Sequence, residues 1–190
     1  AKKTGARLHV FHLSTAKELE LFSNNIPLKD KKITSEVCIH HLTFTDQDYD
    51  KFGASIKWNP AIKNESDQLS LFEALSSNVL DVIATDHAPH ELHEKKQDYL
   101  KAPAGGPLVQ HGLVSMLEFY HEGKAELTHL INKMTHAVAD CFQVDRRGYI
   151  REGYYADLVL VDLNQPWTVT PQNLYYKCGW SPFTGTTFQS

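Results

Sequence analysis

Three short strand-like runs in the first 85 residues each end on a cluster of titratable side chains, and no other feature limits the possible folds as much. Leu8-His9-Val10-Phe11 leads into His12-Leu13-Ser14-Thr15. Ile33-Thr34-Ser35-Glu36-Val37-Cys38-Ile39 leads into His40-His41, and Val79-Leu80-Asp81-Val82-Ile83-Ala84 into Thr85-Asp86-His87-Ala88-Pro89-His90-Glu91. Strands are expected near 7–13, 33–39 and 81–85, with helices near 16–24 and 66–77. Leu69, Leu71, Phe72 and Leu75 give the second helix an apolar side. Strands alternating with helices make a parallel α/β sheet, and parallel barrels keep their chemistry at the C-terminal ends of the strands.

At those ends, Asp86 is a hard oxygen donor and also a base, so it could ligate a metal, accept a proton, or do both in sequence. Pro89 stiffens the turn and should hold His87 and His90 outside the strand. In isolation an Asp-His pair reads as a polar loop with Asp86 as a cap; the preceding strand favours a site. His12, nearest its strand's end, is the better ligand candidate, whereas His9 suits a hydrogen-bonded core position. Ser14 or Thr15 reads as the cap of the following helix. If His40 and His41 lie on a strand, they point to opposite faces and at most one can share a site with His12. Asn59, ahead of Pro60, is biased to extended backbone with its amide free for a ligand.

Residues 87–109 lack periodicity and carry His87, His90, His93, Lys95 and Lys96, as expected of a substrate loop or lid. Helices are expected over 109–120, 127–133 and 136–142. Gly148 and Gly153 then punctuate a turn into a buried strand, Leu158-Val159-Leu160-Val161.

Apolar residues at 42%, charged residues at 22% and a net charge of −4 describe a globular chain with ample core material. The chain lacks a basic stripe, which argues against nucleic acid as a partner. Its apolar runs stop short of the roughly 18 residues a membrane span needs. Cys38, Cys141 and Cys178 are widely spaced, which suits a reducing cytoplasm better than a disulfide framework. The eleven histidines fit a metal site.

Taken together, His12, Glu36 with His40-His41, Asn59-Pro60 and the Asp86-His87-Ala88-Pro89-His90 run resemble the second half of the dihydroorotases of the amidohydrolase superfamily, in their longer-chain bacterial form. Ala102-Pro103-Ala104-Gly105-Gly106-Pro107 falls where that family has a glycine-containing substrate loop. Gly153-Tyr154-Tyr155-Ala156-Asp157-Leu158-Val159-Leu160-Val161-Asp162 is similar to its Gly-x-x-Ala-Asp-Leu-Val-Leu-Asp signature, and Trp180-Ser181-Pro182-Phe183-Thr184-Gly185 resembles its Pro-Phe-x-Gly segment. The resemblance implies a partial TIM-type (β/α)8 barrel over 1–147 and a segment returning to a small β-domain over 148–190.

It also implies an activity: zinc-dependent, reversible cyclisation of N-carbamoyl-L-aspartate to L-dihydroorotate in pyrimidine biosynthesis. Two zinc ions are implied per site, in a cytoplasmic enzyme with a small-molecule substrate and a possible homodimer. By the same resemblance His12 and Asp86 bind metal, and Asp86 is also general base and proton shuttle. Asn59 and His90 hydrogen-bond the substrate, His90 at its carboxylate, and backbone at Ala104 and Gly105 closes around the ring. Glu36, His40 and His41 either tune the site or are structural.

The chain departs from the family at Asn59-Pro60-Ala61-Ile62-Lys63, where relatives read Asn-Pro-Pro-Leu-Arg, so a forked guanidinium becomes a point charge. The family's His-x-His pair, its carboxylate-binding arginine, its bridging lysine and a further histidine ligand have no counterpart here. A complete barrel needs roughly 200 to 250 residues. These residues are therefore expected to be an inactive fragment of a longer polypeptide. The runner-up readings are an allantoinase- or hydantoinase-like cyclic amidase, whose motifs lack the second histidine after the proline, and a catalytically inactive homologue acting as an assembly partner.

Overall fold

A computed structural model describes all 190 residues. Strands β1 (Leu8–Val10), β2 (Ile33–Cys38) and β3 (Val82–Ala84) form one parallel sheet in that order. Leu8 pairs with Ile33 in the first ladder and Glu36 with Val82 in the second. Helices α1 (Ala16–Leu19), α2 (Ile39–Thr43), α3 (Tyr49–Phe52) and α4 (Glu65–Ser76) fill the crossovers. Beyond β3 come α5 (Leu92–Lys95), α6 (Gly112–His121), α7 (Leu127–Met134) and α8 (His136–Phe142). A short antiparallel ribbon, β4 (Trp167–Thr168) with β5 (Thr187–Phe188), completes the chain. The sheet is open: three strands do not close a barrel.

Capping chemistry starts the helices where the sequence supplies it. Thr15 accepts from the Glu18 N–H while the Glu18 carboxylate accepts from the Thr15 N–H, a capping box that picks Thr15 over Ser14. Asn64 caps α4 through the Asp67 N–H. The core joins the sheet to the helices through Leu13, Val37, Leu42, Leu71, Leu75, Leu80, Ile83 and Met116, each essentially sealed from solvent. Burying one such aliphatic side chain stabilises the fold by ~1.5–3 kcal/mol relative to exposure. Val169, Phe183 and Phe188 belong to the same cluster, so the C-terminal ribbon packs on this core.

The expected strands stand at 8–10, 33–38 and 82–84, shorter than the sequence suggests. Two expectations fail. His40 and His41 lie in α2, which starts directly after β2, so their rings sit side by side with centroids 4.2 Å apart rather than on opposite sheet faces. Leu158-Val159-Leu160-Val161 is not a strand and is not buried: Leu158, Val159 and Leu160 are 65%, 80% and 101% exposed. A strand must pair its N–H and C=O groups on a ladder, and the 190 residues offer this segment none.

Candidate active site

The C-terminal ends of β1, β2 and β3 converge on His12, Glu36 and Asp86. His12 and Asp86 both carry left-handed backbone, with φ of +40° and +46°. The other non-glycine residues with positive φ, Asn78, Gln143 and Arg146, lie outside the strand ends. Holding an ordinary L-residue there costs ~1–3 kcal/mol, a strain that concentrates where side chains must be aimed.

Glu36 stands between them. Its Oε2 accepts from His9 Nε2 at 2.9 Å, and its Oε1 accepts from the His12 backbone N–H at 3.4 Å. His9 Nδ1 also meets Thr34 Oγ1 at 2.8 Å, so His9 is the hydrogen-bonded residue its position suggests. Burial alone would lower its pKa, but hydrogen bonds to Cys141 and Glu36 outweigh burial and raise it to about 9. His9 is then a cation paired with Glu36. Burial pushes the Asp86 carboxyl up; the nearby His12 opposes this and the Glu36 charge adds to it. Asp86, His12 and Glu36 thus share one electrostatic neighbourhood, and Asp86 holds a proton more readily than an exposed aspartate.

Asp86 and His12 fit a metal by donor chemistry: a carboxylate and an imidazole, both half-buried, at the ends of strands in one sheet, with Glu36 bracing the His12 backbone. Within this chain they supply two ligands, and the fit to zinc is a fit of donor type.

The expected substrate residues gather on the loop after β3. His90 Nε2 lies 3.0 Å from the Ala104 carbonyl, and the His90 carbonyl accepts from Trp180 Nε1 at 2.8 Å. Ala88 N–H donates to the Gly106 carbonyl at 3.0 Å, and Gly105 N–H to the Lys57 carbonyl at 2.8 Å. His90, Ala104 and Gly105 are therefore brought together. Asn59, two residues beyond Lys57, is exposed with its amide unengaged. The Ala104 N–H also takes no partner within the chain. His87 faces away from this role: its Nδ1 accepts from the N–H groups of Leu108 and Val109 at 3.0 and 3.3 Å, and burial lowers its pKa.

Sequence reasoning missed Lys95, placed among the polar residues of a loose loop. The structure buries it to 1% exposure, with Nζ donating to the carbonyls of Lys57, Pro103 and Gly105 at 3.1, 2.8 and 2.6 Å. Burial, aided by the neighbouring Lys57 charge, lowers it to about 8. Three carbonyls, of which only that of Lys57 has another donor in the Gly105 N–H, form an ammonium-shaped cradle, and nothing in a local sequence window reveals it. The glycines beside it did carry a signal. A Cβ on Gly106 would stand 2.8 Å from Trp58 Cζ2, and Gly105 has φ +113° with a Cβ position 2.5 Å from the Ala88 Cβ. Only glycine lets this loop reach both neighbours.

Comparison with known proteins places these features in a lineage. Residues 1–188 match the profile of the amidohydrolase family. The dihydroorotase of Ehrlichia canis is 37% identical over 175 residues, which are 92% of this chain and 39% of that protein. The dihydroorotase of Carboxydothermus hydrogenoformans is 37% identical over 188 residues, 98% of this chain and 44% of that one. Among solved structures, L-hydantoinase (dihydropyrimidinase) from Arthrobacter aurescens superposes with a TM-score of 0.88 at 25% identity, over 99% of this chain and 43% of that one. Dihydroorotase from Saccharomyces cerevisiae, solved in complex with 5-fluoroorotic acid, superposes with a TM-score of 0.66 at 19% identity, over 73% of this chain and 39% of that one. The chain spans about two fifths of the length of the curated relatives it matches.

Proposed function

This chain belongs to the amidohydrolase family, and from that premise we propose that it is the C-terminal part of a dihydroorotase, contributing residues 1–147 to a metal-dependent TIM-type barrel and 148–190 to the return toward a small β-domain. The reaction is the reversible closure of N-carbamoyl-L-aspartate to L-dihydroorotate, carried out in the cytoplasm. The observation that carries the proposal is the pairing of Asp86, strained and with its carboxyl pushed up, with His12 across Glu36, beside a loop that holds His90 against Ala104.

His12 and Asp86 would hold zinc, with the remaining ligands outside these residues; bound there, zinc supplies Lewis acidity and lowers the pKa of a water toward neutral. The chain's own residues do the rest. In the hydrolytic direction Asp86 accepts the proton of the attacking water as it adds to the ring carbonyl, then delivers that proton to the ring nitrogen as the C–N bond breaks. A raised carboxyl pKa suits both halves of this task, since it narrows the gap between taking a proton and returning it. Glu36, neutralised by protonated His9, fixes the His12 backbone and keeps the imidazole at its angle. Asn59 and the Ala104 N–H offer donors to the ring, and His90 offers its imidazole to the substrate carboxylate.

That last role separates dihydroorotase from the hydantoinase reading. The hydantoinase structures at 20–25% identity share the fold, whereas curated dihydroorotases are 33–37% identical, and this chain keeps His90 after Pro89. In the full-length protein, His90→Ala should lower kcat/KM for dihydroorotate at least tenfold while bound zinc stays the same. Unchanged kinetics would remove His90 from the substrate site and favour the cyclic amidase alternative.

A further inference from the structure

Behind the proposed active site, three potential ligands meet in the buried interior at the junction of β2 and α2. One donor atom from each of Cys38, His40 and His41 lies within 4.8 Å of the other two. The three residues are 0%, 0% and 3% exposed. Their hydrogen bonding is incomplete: neither ring nitrogen of His40 has a partner, nor does Nδ1 of His41. The Cys38 sulfur makes only a long 3.9 Å contact to Glu36. Buried polar atoms are nearly always satisfied, so three orphaned nitrogens around one thiol call for an occupant.

The surroundings fix the available lone pairs. His41 Nε2 lies 3.1 Å from the Pro60 carbonyl, which can only accept, so Nε2 carries the proton and Nδ1 presents its lone pair inward. An imidazole whose far nitrogen donates to a carbonyl is the arrangement found behind metal-bound histidines. His40 is held flat against Trp58, with centroids 4.5 Å apart and planes at 11°. Because β2 hands over directly to a helix, Cys38, His40 and His41 turn toward one point instead of alternating across a sheet.

We propose that Cys38, His40 and His41 form a second metal site, distinct from the His12 and Asp86 pair, that takes a thiophilic divalent cation of the zinc class. One sulfur and two imidazole nitrogens match the donor preference of such ions. Around a tetrahedral zinc these donors would sit about 3.3–3.8 Å apart, so the side chains close by roughly 1 Å on binding. Binding breaks the Cys38 S–H bond; sulfur keeps the electron pair for the metal and the proton leaves to solvent.

The test is titration of the metal-free protein with cobalt(II), read by the sulfur-to-cobalt charge-transfer band, which the sulfur-free His12 and Asp86 pair cannot produce. Cys141→Ser/Cys178→Ser, with any cysteine outside these 190 residues likewise replaced by serine, leaves Cys38 as the sole thiol. This variant should reach a band amplitude of one sulfur–cobalt centre per chain at saturating cobalt, and adding His40→Asn should weaken the affinity at least tenfold. A sole-thiol protein without the band would overturn the proposal, as would a His40→Asn variant with unaltered affinity. Because the decisive variant leaves all three ligands intact, the outcome does not depend on whether Cys38 replacements fold.

Discussion

His111 illustrates how one residue ties the chain's end to its centre. It is fully buried, its Nδ1 lies 3.1 Å from Ser181 Oγ and 3.3 Å from the Tyr176 hydroxyl, and aromatic rings from Trp167, Phe183 and Phe188 surround it. Burial holds its pKa down to about 4. An unfolded histidine titrates near 6.5, so between pH 6.5 and 4 the unfolded chain binds the extra proton and stability falls as the pH drops. The full effect is about 3 kcal/mol. His41, lowered to about 4 mainly by burial, adds to the loss in the same window. In denaturant titrations across this range, His111→Gln should reduce the slope of stability against pH by about one proton, or ~1.4 kcal/mol per pH unit. An unchanged slope would mean that His111 is charged in the folded protein. At this scale the placement of His12, Asp86 and His90 was legible, because each sits at a recognisable strand end or turn. The sequence was silent about His111 and Lys95, whose roles depend on partners 65 to 70 and 8 to 38 residues away.

Among the elements, the segment from Pro89 to Pro107 behaves as a strap fastened from beneath. Lys95, at the end of α5, holds three carbonyls that belong to the strap and to Lys57. Lys95→Met fills similar volume but donates nothing, so the Pro103 and Gly105 carbonyls are left buried and unpaired at ~1–3 kcal/mol each. The variant should lose about 2–4 kcal/mol of stability, and amide exchange at Gly105 should accelerate as its bond to Lys57 opens. Protection at Gly105 equal to the parent's would show that the glycines hold the strap unaided. A long aperiodic stretch reads as mobile in sequence because periodicity reports only regular structure; a single buried ammonium can order such a stretch without leaving a pattern. The same limit explains α2. The β-branched run of β2 gave no notice that the chain would turn helical at Ile39, and the two histidines changed faces as a result.

At the level of the whole molecule, the parallel order β1-β2-β3 was legible because strand and helix alternate over the first 85 residues. The segment 158–161 was not, since a continuous apolar run tells that a strand seeks a partner and leaves open where the partner lies. Leu158, Val159 and Leu160 stand exposed here, an apolar surface without a ladder. The proposed proton transfer by Asp86 is tested by turnover of L-dihydroorotate by the zinc-loaded full-length protein beside its Asp86→Asn variant, with an unsubstituted hydantoin as the competing substrate. Dihydroorotate should be the preferred substrate, and Asp86→Asn should lower kcat by about 100-fold or more with the fold intact. Preference for the hydantoin, or an Asp86→Asn enzyme as fast as the parent, would contradict the proposal.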